Sequence, residues 1–79
     1  MLEVDLQKPD AHVAASILNR CAEYGAAASV KIFRAPVPFA IIGMVNPQDS
    51  VEVAERLEAC SFGPYVILNL EHAPVAANA

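Results

Sequence analysis

The sequence predicts a two-layer α+β domain in which two helices cover one face of a four-stranded antiparallel sheet. Three observations carry that expectation. Four short stretches either alternate apolar and polar residues, as a half-buried strand does, or are almost continuously apolar. Two others repeat apolar residues at helical spacing. Their order is strand, helix, strand, strand, helix, strand, in which helices with one apolar face pack together on one side of an antiparallel sheet. At 79 residues the chain supports one domain with one core.

The first strand is expected over residues 1–6, where Met1-Leu2-Glu3-Val4-Asp5-Leu6 alternates. Pro9 punctuates, and Asp10 reads as the N-cap of the first helix, its carboxylate accepting orphan N–H groups of the first turn. Val13, Ala14, Ile17, Leu18, Cys21 and Tyr24 make the apolar stripe, and Gly25 supplies a left-handed stop. Residues 29–33 form the second strand. Arg34-Ala35-Pro36-Val37-Pro38 is a short connection whose prolines cannot donate to a central ladder. Residues 39–45 are nearly all apolar and suit a central strand. Asn46 caps the second helix, Pro47 opens it and Asp49 lies three residues beyond the cap. Its buried stripe is Val51, Ala54, Leu57 and Cys60, with Glu52, Glu55, Arg56 and Glu58 solvated. Gly63-Pro64 ends that region and residues 65–70 form the last strand. The domain therefore covers residues 1–70, and the Ala-rich residues 71–79 form a flexible C-terminal tail. Met1 reads as a natural start.

Composition narrows the function classes. Hydrophobic residues make up 56% of the chain, high for a soluble domain, although part of this is alanine. A net charge of −4, from nine acidic and five basic residues, opposes strong binding to a phosphate backbone. No apolar run approaches the roughly 20 residues a membrane span needs. Met1-Leu2 followed by charged residues is no signal peptide, so a soluble, cytoplasmic protein is expected. Cys21 and Cys60 match no zinc pattern; both are expected to be buried near helix ends, too far apart for a disulfide. His12, in the first turn of the first helix, and His72, in the tail, lack an activating partner, and the three glycines build no phosphate loop. The expectation is a binding module without catalysis, metal or cofactor.

The stretch from Tyr24-Gly25 through Val30-Lys31-Ile32-Phe33-Arg34 is similar to the passage from helix 1 into strand 2 of the RNA-recognition motif. Phe39-Ala40-Ile41-Ile42-Gly43-Met44 followed by Asn46-Pro47-Gln48-Asp49 resembles its third strand and the following helix start. Val66-Ile67-Leu68-Asn69-Leu70 resembles its fourth strand. The resemblance spans residues 2–70 and implies the ferredoxin-like β-α-β-β-α-β sandwich. It also implies RNA contacts from the two central strands, the first and the third, where aromatic side chains stack on bases and basic residues hold phosphates. Phe39 keeps one stacking position. Ile41 stands at the second, Glu3 at the first-strand aromatic, and Val37-Pro38 where a basic residue and glycine are expected.

Alternation along strands divides the sheet into two faces. If Leu2, Val4, Val30, Ile32, Ala40, Ile42, Met44, Val66 and Leu68 face the helices, the open face carries Glu3, Asp5, Lys31, Phe33, Phe39, Ile41, Gly43, Ile67 and Asn69. A contiguous patch of Phe33, Phe39, Ile41 and Ile67 marks an interface. The expected binding residues are these four with Lys31, Arg34 and Asn69. The leading function is protein–protein association through this face, by homodimerisation or capture of another chain. A second reading is weak single-stranded RNA binding through Phe39, Phe33, Lys31 and Arg34. A third is a small-molecule regulatory domain of the ACT type, although Gln7-Lys8-Pro9-Asp10 is not the glycine-rich turn such a site uses.

Overall fold

The computed structural model describes residues 1–73. Seven elements follow in order: β1 (Leu2–Val4), α1 (Asp10–Cys21), β2 (Ala27–Phe33), β3 (Phe39–Met44), α2 (Asp49–Arg56), β4 (Cys60–Phe62) and β5 (Tyr65–His72). The α+β class holds, with both helices contributing to one core against the sheet. The sheet itself is neither four-stranded nor wholly antiparallel. Its five strands run β1-β5-β3-β2, with β4 also paired to β5. β3 is antiparallel to β2 and β5, β4 is antiparallel to β5, and β1 is parallel to β5. β4 pairs with residues 65–67 and β1 with residues 70–72, so the two share one edge of β5 end to end.

Strand length explains the departure from the expected order. A central strand must satisfy its backbone groups on both sides. β5 has eight residues of strictly alternating burial over most of its length, whereas β1 has three. The longer strand takes the centre beside β3, and the shorter one blunts an edge. β1 stops at Val4 because the Asp5 carboxylate accepts the Gln7 amide at 3.0 Å and the Asp5 carbonyl accepts that of Lys8 at 3.1 Å.

The fifth strand comes from a helix that ends early. Glu58 turns left-handed at φ 54°, and the amide of Ala59 donates back to the Ala54 carbonyl at 2.8 Å. That is the closure a C-terminal glycine usually provides. The chain then runs out along β5, and Gly63-Pro64 becomes a two-residue hairpin turn. Gly63 occupies its first central position at φ 60°, where a type II′ turn requires glycine.

Both expected caps are differently employed. Asp10 lies inside α1, and the preceding Pro9 makes no side-chain cap; the Asp10 carboxylate receives Arg34 Nε at 2.9 Å instead. α2 begins at Asp49, two residues after Pro47. The buried Ser50 hydroxyl shares its proton between the carbonyls of Pro47 (2.7 Å) and Gly63 (2.8 Å), holding the turn before α2 down on the hairpin turn. The buried residues of α2 are Ser50, Val53 and Ala54, with Leu57 following; Val51 is exposed, so the stripe is rotated from the expected one. In α1, Val13, Ile17 and Cys21 are buried and Leu18 lies at the margin of the stripe. Gly25 is not left-handed. It is needed for space, because a Cβ there would stand 2.8 Å from Asp49 Cβ.

The core confirms the face assignment. Leu2, Val4, Ala40, Ile42, Met44, Val66, Leu68 and Leu70 are buried beneath the helices, with Val30 and Ile32 partly buried against them. Glu71 and His72 belong to β5, and His72 Nδ1 accepts the Leu6 amide at 3.0 Å, so the domain runs past residue 70. The rest of the expected tail, residues 74–79, lies outside the described residues. Among the described residues no helix is long and apolar enough to cross a membrane.

Candidate sheet-face interface

Residues paired across neighbouring strands project from the same face, so the registers draw the open face as rows. One row is Phe33, Phe39 and Asn69. The next is Lys31, Ile41, Ile67 and Cys60. The third is Ser29, Gly43, Tyr65 and Phe62. Beyond the first row, at the β1 edge, Glu3 stands opposite Glu71. Asp5 falls outside β1 and does not join this face.

The face is held rigidly at two points. The rings of Phe33 and Phe39 stack with centroids 4.7 Å apart and planes 9° from parallel. Lys31 Nζ lies 5.6 Å from the Phe33 centroid, a cation–π contact. Gly43 is buried despite facing outward, between the Ser29 hydroxyl and the Tyr65 ring: a Cβ there would stand 2.7 Å from Ser29 Oγ and 3.5 Å from Tyr65 Cε1. An aromatic ring covering a strand glycine restores the packing the glycine lacks. Phe33, Phe39 and Ile41 are half-buried, whereas Ile67 is 40%, Tyr65 46% and Phe62 75% exposed. The exposed apolar surface thus lies mainly at the β4–β5 hairpin end.

Six of the seven expected site residues share this face: Phe33, Phe39, Ile41, Ile67, Lys31 and Asn69. Arg34 does not. Its guanidinium donates to the Asp10 carboxylate at 2.9 Å, to the Lys8 carbonyl at 2.8 Å and to the Leu6 carbonyl. With all three arms engaged it clamps the β1–α1 loop to the end of β2 and is no ready phosphate ligand. Sequence reasoning missed Phe62 and Cys60, which lie on the unforeseen β4, and Tyr65. Two residues before Ile67 in the same strand, Tyr65 was accessible by parity alone.

The electrostatics are sparse. Lys31 is the one cation on the face among the described residues, and Glu3 with Glu71 makes one end acidic. The first-strand position that would carry a stacking aromatic is thus a carboxylate on an edge strand, and the neighbour of Phe39 on the central strand is Asn69. Of the cysteines, Cys21 is buried as expected, and burial pushes its thiol pKa up, which keeps it unreactive. Cys60 is exposed, contrary to expectation, because it lies on β4 and not in the stripe of α2.

Elsewhere, an open cleft between β1 and α1 is lined by Leu2, Val4, Ser16, Asn19 and Arg20 among others. Ser16 there donates to the His12 carbonyl of its own helix. Among the described residues no group of three or more His, Cys, Asp or Glu side chains is placed to hold a metal ion. Compared with models of known protein families, with curated proteins and with solved structures, the chain has no match.

Proposed function

We propose that this chain is a small, non-catalytic cytoplasmic module whose open sheet face associates with protein. The observation that carries this reading is the contiguous apolar surface of Phe33, Phe39, Ile41, Ile67, Tyr65 and Phe62, arranged in adjacent rows with a single cation. Large exposed apolar patches on small domains mark interaction sites, and covering several such side chains at about 25 cal/mol per Å² is worth several kcal/mol. The order of strands and helices along the chain keeps a likeness to the ferredoxin-like, RNA-recognition-motif-like sandwiches, although β5 runs parallel to β1 and antiparallel to β3, so the sheet differs from theirs. Lys31 beside the stacked Phe33–Phe39 pair supports a second reading, weak single-stranded RNA binding. The engaged Arg34 and the acidic Glu3–Glu71 end leave that reading with little to hold phosphates.

Light scattering on the purified chain and on Phe39→Ala/Ile67→Ala tests the proposal. The double variant is expected to keep its circular dichroism spectrum and to weaken association at least tenfold, in line with several kcal/mol of lost burial. Unfolding of the double variant would place these residues in the core. Unchanged association would move the contact elsewhere. Titration with a short mixed-sequence RNA at two salt concentrations is expected to show no binding even at low salt.

A further inference from the structure

We propose that the protein meeting this face is a second copy of the same chain, seated sheet to sheet about a two-fold axis parallel to the strands. This rests on reading the face as a protein contact, and it names the partner. An isologous interface needs one surface that complements itself, and the rows supply it. In the third row the β2–β3 half carries Ser29 and Gly43, while the β5–β4 half carries Tyr65 and Phe62. A two-fold axis between β3 and β5, running along them, lays β2 over the partner's β4 and β3 over the partner's β5 within each row. Small then meets large: Ser29 faces the partner's Phe62, and Asn69 faces the partner's Phe39. Ile41 faces the partner's Ile67 and Ile67 the partner's Ile41, in a four-residue apolar centre. Tyr65 leans over Gly43, towards the axis, so the two Tyr65 rings meet there in the offset contact aromatic pairs favour.

Charge selects this axis over the alternative. A two-fold axis across the strands would set Lys31 directly on the partner's Lys31, a like-charge contact that opposes association. The axis along the strands sets Lys31 opposite the partner's Cys60 and separates the two cations by the width of the sheet. Four strand positions and three rows make a face about 20 Å on each side. Two such faces bury about 800 Å² in total, below the roughly 1,000 Å² of a stable specific interface, so the dimer is expected to be weak and reversible.

The test uses the full chain, Cys60 and Lys31→Cys. Cys21 is buried, so only Cys60 and the introduced thiol react. Within one chain these two positions lie three strand spacings apart, about 14 Å, too far for a short bismaleimide. Sedimentation equilibrium is expected to show a reversible monomer–dimer equilibrium. With the bismaleimide, Lys31→Cys is expected to give covalent dimer at least tenfold more efficiently than the wild type, joined from the introduced thiol to the partner's Cys60 by peptide mapping; a product joining the two introduced thiols would overturn the axis. Adding Ile67→Asp, with an unchanged circular dichroism spectrum, should abolish that product. Wild-type cross-linking as efficient as that of Lys31→Cys would place Cys60 against its own copy and overturn the axis. A chain monomeric at all concentrations would overturn the second copy while leaving open the face as a contact for another protein. Cross-linking of Lys31→Cys indifferent to Ile67→Asp would overturn both the dimer geometry and the reading of the face on which it rests.

Discussion

Leu68→Ala is expected to destabilise the domain by about 3 kcal/mol, whereas Ile67→Ala, one residue earlier, is expected to cost less than about 1 kcal/mol. Leu68 is fully buried at the centre of β5, among the core side chains of both helices, and Ile67 is 40% exposed on the other face. Truncating Leu68 removes its transfer energy and leaves a cavity that a sheet clamped on both sides of β5 cannot collapse. A domain of this size has a total stability of about 4–12 kcal/mol, so this one change takes a large fraction. Urea midpoints measured at high dilution, where self-association does not contribute, check the contrast. Equal losses at the two positions would mean that β5 does not separate a core face from an open one.

Gly25→Ala is expected to cost about 2 kcal/mol through overpacking. The new Cβ would stand 2.8 Å from Asp49 Cβ, 2.9 Å from Oδ2 and 3.0 Å from Cγ. The carboxylate can swing aside, but the Cβ of Asp49 is fixed to the first turn of α2. Relief therefore requires the helix end itself to move away from the chain leaving α1. A double-mutant cycle with Asp49→Gly isolates the contact. Each single change destabilises, and the pair is expected to cost about 1–2 kcal/mol less than their sum. Additivity within about 0.3 kcal/mol would remove close approach as the reason for glycine here. Gly63 gives the contrast, with nothing within 4 Å of a Cβ but a left-handed φ of 60°.

Much of the molecule was legible because side-chain parity is local. All nine residues assigned to the helix face, from Leu2 to Leu68, are buried or half-buried, and six of the seven site residues share the opposite face. Strand order was not legible, because alternation says which way a side chain points and nothing about which strand lies beside it. β4 was hidden for two reasons. Cys60, Ser61 and Phe62 alternate over only three residues, too short a run to read as a strand. The left turn that separates them from α2 also falls on Glu58, a residue type that does not announce one. Arg34 was misread because its partners, Leu6, Lys8 and Asp10, lie 24 to 28 residues earlier in the chain. Residue type suggested an anion, and tertiary structure supplied carbonyls and a carboxylate.

The shared edge of β5 has a kinetic meaning. β4 joins β5 through a two-residue turn, a hairpin that closes in microseconds, whereas β1 must close nearly the whole chain to set Leu2 beside Leu70. β1 has three residues to offset that closure cost, so it is expected to join last and leave first. Amide hydrogen exchange should then report lower protection at Ala73, whose amide donates to the Val4 carbonyl at 2.8 Å, than at Leu70, whose amide donates to the Pro38 carbonyl at 3.1 Å; equal protection would argue for a single cooperative unit. The three rows of the association surface draw on β2, β3, β4 and β5 alone. The domain can therefore unlatch along one edge while the surface it presents to a partner stays assembled.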